Sequence, residues 1–269
     1  MTTEGEAWAA GALAELRSRR YRPLAWIDFL GSSFRRARES VDGRGYERRQ
    51  ELALAVAGAA VWLGVALLGR PCLALAGVIW WALVLTMVDW HLGMLEDAQG
   101  RRQRGLGLAN LLSIVRAGVV PALPVLPSAL LATVLIPAGV ADGIDGRIAR
   151  ARGEETRLGL WLDGGVDGFV LGAAAIGAAR HGVLPVWAAA LVLGRHAVQW
   201  LLVTLAFFLH AEAPAREGFV SGKVPGLVLF TGLALAALHV PGGTALVVLG
   251  ALGGLVTFGL TLARSQRTG

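Results

Sequence analysis

Long, nearly uninterrupted apolar segments constrain the fold of this chain more than any other feature. Eight of them follow one another after residue 50, and most approach or exceed the roughly 20 residues that an α-helix needs to cross about 30 Å of hydrocarbon. They span residues 52–68, 73–94, 108–126, 128–148, 159–179, 184–209, 219–238 and 245–262. Charged residues make up only 16% of the 269 residues, against roughly 25% in soluble domains. The sequence therefore predicts an all-α integral membrane protein with about eight transmembrane helices.

The basic residues predict the orientation of these helices. If the N-terminus is cytoplasmic, only Arg70 and Arg180 fall outside, and Arg116 and Arg195 lie within spans. Every other Lys or Arg is inside or at the cytoplasmic end of a span. Such an imbalance is the positive-inside pattern, which places both termini in the cytoplasm. We expect a bacterial cell membrane. The same pattern explains the net charge of +6 without a nucleic-acid partner.

Three segments follow from this pattern: a polar N-terminal part over residues 1–50, two additional spans over 51–104, and a six-helix core over 105–269. Within the two additional spans, the neighbouring Trp80 and Trp81 are expected to face lipid.

The polar N-terminal part contains an amphipathic stretch. Four apolar residues recur at helical spacing, and arginines follow them. The apolar residues are Leu24, Ile27, Leu30 and Phe34. This spacing is compatible with a helix that lies on anionic lipid headgroups, and equally with an ordinary solvated helix.

Four aspartates lie within predicted spans, where ionisable groups are costly and usually mark function. Asp142 and Asp145 end one span, while Asp163 and Asp167 begin the next at the same side. Each pair shares one helix face, and the short loop 151–158 places both pairs at one depth. Carboxylates that face one another repel unless cations lie between them. Hard oxygen ligands indicate Mg²⁺ or Mn²⁺, with two ions in the cluster.

Arginines cluster at the same end of these two spans, beside the aspartate pairs. Arg147, Arg150, Arg152 and Arg157 all lie between the two aspartate pairs. Guanidinium groups beside a metal site suit a phosphate-bearing ligand. For Arg152 and Arg157 the positive-inside pattern is an equally good explanation.

Written out, this stretch is Asp142-x2-Asp145-Gly146-x2-Ala149-Arg150-x8-Gly159-x3-Asp163-x3-Asp167. All eight fixed positions and both spacings resemble the signature of the CDP-alcohol phosphotransferases, and the resemblance covers roughly residues 105–265. It implies metal-dependent transfer of a substituted phosphate, such as phosphatidyl, from a CDP-linked lipid such as CDP-diacylglycerol to an alcohol acceptor, with release of CMP. It also implies a homodimer.

The resemblance assigns roles to the matching residues. Metal ligands would be Asp142, Asp145, Asp163 and Asp167, of which Asp167 would also be the general base. Contacts to the CDP group would come from Asp142, Gly146, Ala149, Arg150, Gly159 and Asn110.

Weaker similarities extend the resemblance beyond the signature. The run from Asn110 to Arg116 is similar to an Asn-x-Leu-Thr-x-x-Arg stretch of the family, with Ser113 replacing Thr and keeping the hydroxyl. His196 stands where many members carry Glu. Candidate contacts to a phosphate on the acceptor are Arg116, Arg195 and Lys223.

Three alternatives stay open. One is an intramembrane cation transporter, although it predicts carboxylates along a pathway and not at one side. Another is an aminoalcohol-type enzyme that uses a CDP-alcohol donor and a diacylglycerol acceptor. The last is an inactive scaffold, which would not be expected to keep all eight positions. The acceptor alcohol is not specified by any of these residues.

Overall fold

The computed structural model describes residues 4–97, 99–210 and 223–268, which are almost entirely helical. The described residues form ten α-helices: α1 (Glu4–Ser18), α2 (Pro23–Val41), α3 (Gly45–Leu67), α4 (Pro71–Trp90), α5 (Gly107–Gly118), α6 (Ser128–Arg152), α7 (Arg157–Arg180), α8 (Val186–His210), α9 (Lys223–Ala237) and α10 (Gly243–Thr268). Short 3₁₀ turns occur at Leu92–Met94 and Leu123–Val125.

Five of these helices are long and apolar enough to cross a membrane: α3, α4, α7, α8 and the first part of α10. Two shorter apolar stretches lie at Ser128–Ile144 in α6 and Val224–Ala237 in α9. All seven coincide with predicted apolar runs. The prediction of an all-α integral membrane protein is therefore confirmed, with fewer full-length spans among the described residues than the eight expected.

The third predicted span differs from a continuous helix. In place of one helix over 108–126, α5 ends at Gly118 and a 3₁₀ turn follows at Leu123–Val125. Pro121 and Pro124 explain the break, because proline lacks the N–H that a continuing helix needs. The carbonyl of Leu123 then lies directly against Gly177 of α7, at a point where a side chain could not fit.

The described residues divide into two compact units. The first holds residues 4–111, 148–161 and 205–210, and the second holds 112–147, 162–204 and 223–268. The helices α5, α6, α7 and α8 each contribute to both.

In the first unit, α3 and α4 form an antiparallel pair in which tryptophan side chains pack against glycines of the opposite helix. Trp62 of α3 lies against Gly77, and Trp81 of α4 lies against Gly58. The indole N–H of Trp81 also donates to the carbonyl of Leu54 at 3.1 Å. Small residues let membrane helices approach closely, so Trp81 is buried between the helices and the expectation that it faces lipid is wrong.

In the second unit, α9 and α10 approach closely through glycines. A Cβ at Gly232 would lie 2.6 Å from the backbone nitrogen of Val247, and one at Gly250 would lie 2.7 Å from that of Leu229. Contacts this short mean that backbone meets backbone at both positions. The adjoining core of this unit is apolar and fully buried, with Leu131 and Leu135 of α6 and Val170 and Leu171 of α7 among its members.

Candidate functional site

Three of the four predicted aspartates surround a single guanidinium in the second unit. Nη1 of Arg116 donates to Oδ1 of Asp142 and to Oδ1 of Asp167, each at 3.0 Å. Nη2 of Arg116 lies 3.6 Å from Oδ1 of Asp163. The hydroxyl of Ser113 donates to that same oxygen at 2.9 Å. We call Asp142, Asp163 and Asp167 the carboxylate cluster.

Helical spacing explains how the carboxylate cluster forms. Asp163 and Asp167 are one turn apart on α7, so they share a face. Ser113 and Arg116 are three residues apart on α5 and likewise share a face. Asp142 comes from α6, so three helices contribute charged groups to one place. Arg116 is only 5% exposed, and a buried ion of this kind is tolerable only with well-placed partners.

The cluster has more negative than positive charge among the contacts described, because three carboxylates meet one guanidinium. Its donor atoms are all carboxylate oxygens, which are the ligands that Mg²⁺ and Mn²⁺ prefer. The residues present therefore fit a divalent cation chemically. Among the described side chains, however, no group of three or more His, Cys, Asp or Glu is arranged to hold a metal ion. The guanidinium of Arg116 lies between these carboxylates.

A separate polar contact lies in the first unit, where α7 begins. The side-chain amide of Asn110 donates to the carbonyl of Leu106 at 2.7 Å and to the hydroxyl of Thr156 at 3.1 Å. The same Thr156 hydroxyl accepts the backbone N–H of Gly159 at 3.0 Å, which caps the N-terminus of α7. Sequence reasoning missed Thr156, although a threonine just before a helix is a recognisable capping signal.

Gly159 has a packing reason to be glycine. A Cβ at this position would lie 2.6 Å from Oδ1 of Asn110, so any larger residue would displace that side chain. The structure thus joins Asn110 and Gly159, two of the residues predicted to contact CDP. Their predicted role in binding CDP stays a prediction.

Arg195 is buried in the second unit, at 5% exposure, with its guanidinium against Gly254 of α10. Gln199, one turn further along α8, donates to the carbonyl of Gly254 at 3.3 Å. Within the described part of the chain, neither Nε nor Nη1 of Arg195 has a hydrogen-bond partner. Its charge interacts with that of Asp167. Sequence reasoning missed Gly254, because nothing near it in the chain marks the contact with α8.

The remaining predicted residues fall in three groups. Ala149 is buried and Gly146 half-buried, both on α6. The side chains of Asp145, Arg150 and Lys223 lie outside the described residues, and Lys223 begins α9. The ring of His196 is hydrogen-bonded through Nδ1 to the carbonyl of Val192 at 2.8 Å.

Comparison with known proteins places this arrangement in a family. The model of the CDP-alcohol phosphatidyltransferase family matches residues 106–260, which is more than half of the chain. Proteins from Mycobacterium bovis and from two strains of Mycobacterium tuberculosis, each named "Putative cardiolipin synthase", are 31% identical to it over 102 residues. The match covers 36% of this chain and 49% of theirs, so the chain spans about half the length of these curated relatives. No solved structure matches.

The family segment contains every residue of the carboxylate cluster and the full eight-position signature. Members of this family are transferases and are generally dependent on a divalent metal. The match and the signature together show that the chain belongs to the CDP-alcohol phosphatidyltransferase family.

Proposed function

We propose that this protein is a phosphatidyltransferase of phospholipid synthesis that moves a phosphatidyl group from CDP-diacylglycerol to an alcohol and releases CMP. The hydroxyl oxygen of the acceptor forms a bond to the phosphorus that carries the diacylglycerol. The bond from that phosphorus to the CMP oxygen breaks, and the hydroxyl proton passes to a carboxylate. The observation that carries this proposal is that Asp142, Asp163 and Asp167 all contact the guanidinium of Arg116. All four residues lie within the family segment.

The four signature aspartates would hold Mg²⁺ or Mn²⁺, with two ions as the proposed number. When bound, these ions neutralise charge that develops on the phosphate groups during transfer. Asp167 would accept the proton of the attacking hydroxyl. Ser113 fixes one oxygen of Asp163 through its hydrogen bond, which supports a preset orientation for that ligand.

We infer that the CDP group is held by Asp142, Gly146, Ala149, Arg150, Gly159 and Asn110. The contact between Asn110 and Gly159 supports the pairing of these two residues in one binding element. The active site would face the cytoplasm and the protein would be a homodimer, as the arginine distribution and the family suggest.

Arg195 is the strongest candidate for contact with a phosphate on the acceptor. Arg116 is already engaged with three carboxylates, whereas Arg195 has donors without a partner among the described residues. A buried guanidinium with unused donors suits an anionic oxygen. Glycerol 3-phosphate, an inositol phosphate and the phosphate of a lipid headgroup share that chemistry. Because the curated relatives are named putative cardiolipin synthases, a phospholipid acceptor, phosphatidylglycerol, is included in the test.

Gly254→Ala should weaken binding of a phosphorylated acceptor, because the added methyl group would overlap Nε of Arg195 and displace its guanidinium. Loss of one charge-assisted hydrogen bond corresponds to an increase of about 10-fold in the KM of the acceptor. The KM of CDP-diacylglycerol should stay the same. Steady-state CMP release at varied acceptor concentration measures both constants.

The matched control is Gly253→Ala, the neighbouring glycine on α10. A Cβ there would lie 3.7 Å from the ring of Pro225, which is an ordinary contact. An equal rise of the acceptor KM in both variants would show that the effect comes from general helix packing and would remove Arg195 from the proposed acceptor site.

The proposed reaction is tested by a CMP-release screen of the purified protein. CDP-diacylglycerol is offered with Mg²⁺ or Mn²⁺ and a panel of glycerol 3-phosphate, inositol phosphate, inositol, serine and phosphatidylglycerol. We expect release that needs both a divalent ion and one acceptor, and that EDTA abolishes. CDP-choline is offered with diacylglycerol in a separate reaction, in which CMP release would indicate an aminoalcohol-type enzyme. If no pair releases CMP while proteoliposomes take up Mn²⁺, the transporter is correct instead.

A further inference from the structure

The amphipathic helix α2 presents a row of large apolar side chains to its surroundings. Leu24, Ile27, Leu30 and Phe34 are between 51% and 69% exposed. They lie along one side of α2, whereas Ala25, on another face, is buried. We call these four exposed residues the apolar stripe. Contiguous exposed apolar surface of this kind usually marks an interaction site.

The contacts of α2 place it beside the ends of membrane helices. Near its start, the ring of Trp26 lies 5.0 Å from that of Phe208, close to the end of α8. Near its middle, Phe34 meets Trp90, the last residue of α4, in an edge-to-face contact at 5.8 Å. After Val41, three residues lead directly into α3, another candidate span. A helix held against such ends lies where apolar helices leave the hydrocarbon.

Arginines concentrate where α2 meets α3. An open concavity there is lined by four arginines and two acidic residues, so positive charge is in excess. The arginines are Arg35, Arg38, Arg44 and Arg48. We call this the basic concavity. Arg44 is buried at 4% exposure and donates to the carbonyl of Ser40 at 3.0 Å. Burial and then the charge of Arg102 lower the pKa of Arg44 below its usual value, while Glu47 and Glu96 oppose this shift. A further anion would also favour the charged form of Arg44.

We propose that α2 is a membrane-interface helix: the apolar stripe enters the acyl boundary, and the basic concavity binds the phosphate of an anionic phospholipid. Apolar residues beside arginines are the composition that lies in an anionic headgroup layer. The contacts with α4 and α8 favour this over a solvated helix, because they hold α2 at the level of the membrane surface. This surface lies outside residues 106–260 and is independent of the proposed reaction.

The depth of the apolar stripe can be measured with spin labels on the full chain. Cys72 is the single cysteine, so Cys72→Ser gives a background for one label at Ile27→Cys. Asp28→Cys, an exposed polar position on the same helix outside the lining of the concavity, is the matched control. In nanodiscs with phosphatidylglycerol, we expect the label at 27 to be reached by oxygen and shielded from a water-soluble nickel complex, and the label at 28 to show the reverse. Equal access of the nickel complex to both labels would overturn the interfacial placement.

The basic concavity is tested by a pair of neighbouring arginines on α3. Arg48 lines the concavity, whereas Arg49 is exposed and is not part of its lining. We expect Arg48→Gln to lower the retention of phosphatidylglycerol over phosphatidylcholine several-fold in native mass spectrometry of the detergent-solubilised protein, and Arg49→Gln to leave it at the wild-type level. Equal losses in the two variants, or no loss in either, would overturn the site, because general charge and not the concavity would then set lipid retention.

Discussion

Replacing Asp167 with Asn is expected to lower CMP release by about 100-fold or more, which is the usual contribution of a general base. Asparagine has nearly the same shape and its amide oxygen can still accept a hydrogen bond from Arg116. It cannot take the proton of the attacking hydroxyl. The structure gives Arg116 two further carboxylate partners, Asp142 and Asp163, so the cluster should survive the change.

The measurement is initial-rate CMP release by the purified variant, with the thermal midpoint recorded in EDTA to establish that it is folded. Asp89→Asn is the control, because Asp89 is another aspartate on a membrane helix but lies on α4, outside the family segment. Its turnover should match wild type. If Asp167→Asn keeps turnover within a few-fold of wild type, Asp167 is not the base, and the family assignment would still stand on the other positions.

The spans were predictable because each depends on local composition. An apolar run of about 20 residues can satisfy its backbone in lipid only as a helix, whatever its neighbours are. The segment 108–126 departs from that prediction for a local reason as well, since Pro121 and Pro124 prevent a continuous helix. Trp81 differs from its predicted lipid-facing position for a different reason. Its burial against Gly58 depends on a partner 23 residues away in the chain, which hydropathy cannot reveal.

The site divides in the same way. Spacing along single helices placed Asp163 and Asp167 on one face, and the structure brings both to Asp142. The position of Arg116 between these carboxylates was not predictable, because it depends on how α5 meets α6 and α7. The contact of Arg195 with Gly254 joins residues 59 positions apart. The sequence therefore indicated which groups carry the chemistry. The residues that contact those groups could be identified only from the folded structure.

Arg116→Gln is expected to lower the thermal midpoint in EDTA and to enlarge the stabilisation given by Mg²⁺ or Mn²⁺. Without the guanidinium, the three carboxylates lose the cation that contacts all of them, and breaking a buried ion pair costs about 3–5 kcal/mol. The loss of stability should lie toward the lower end of this range, because the three carboxylate side chains are 18–31% exposed and solvent screens them in part. A divalent ion no longer competes with Arg116 for their oxygens, so its binding should become tighter.

The quantity to compare is the difference in thermal midpoint between EDTA and saturating Mn²⁺, since ligand binding to the folded state stabilises it in proportion to the logarithm of its affinity. Arg180→Gln is the matched control, because Arg180 is exposed at the other end of α7. Its metal-dependent difference should equal that of wild type. A difference for Arg116→Gln no larger than wild type would mean that the arginine and the metal do not share these carboxylates. In that case the ions bind elsewhere, and the cluster as described would be a structural ion-pair network. A larger difference would show that Arg116 holds the carboxylates together until a divalent ion replaces it.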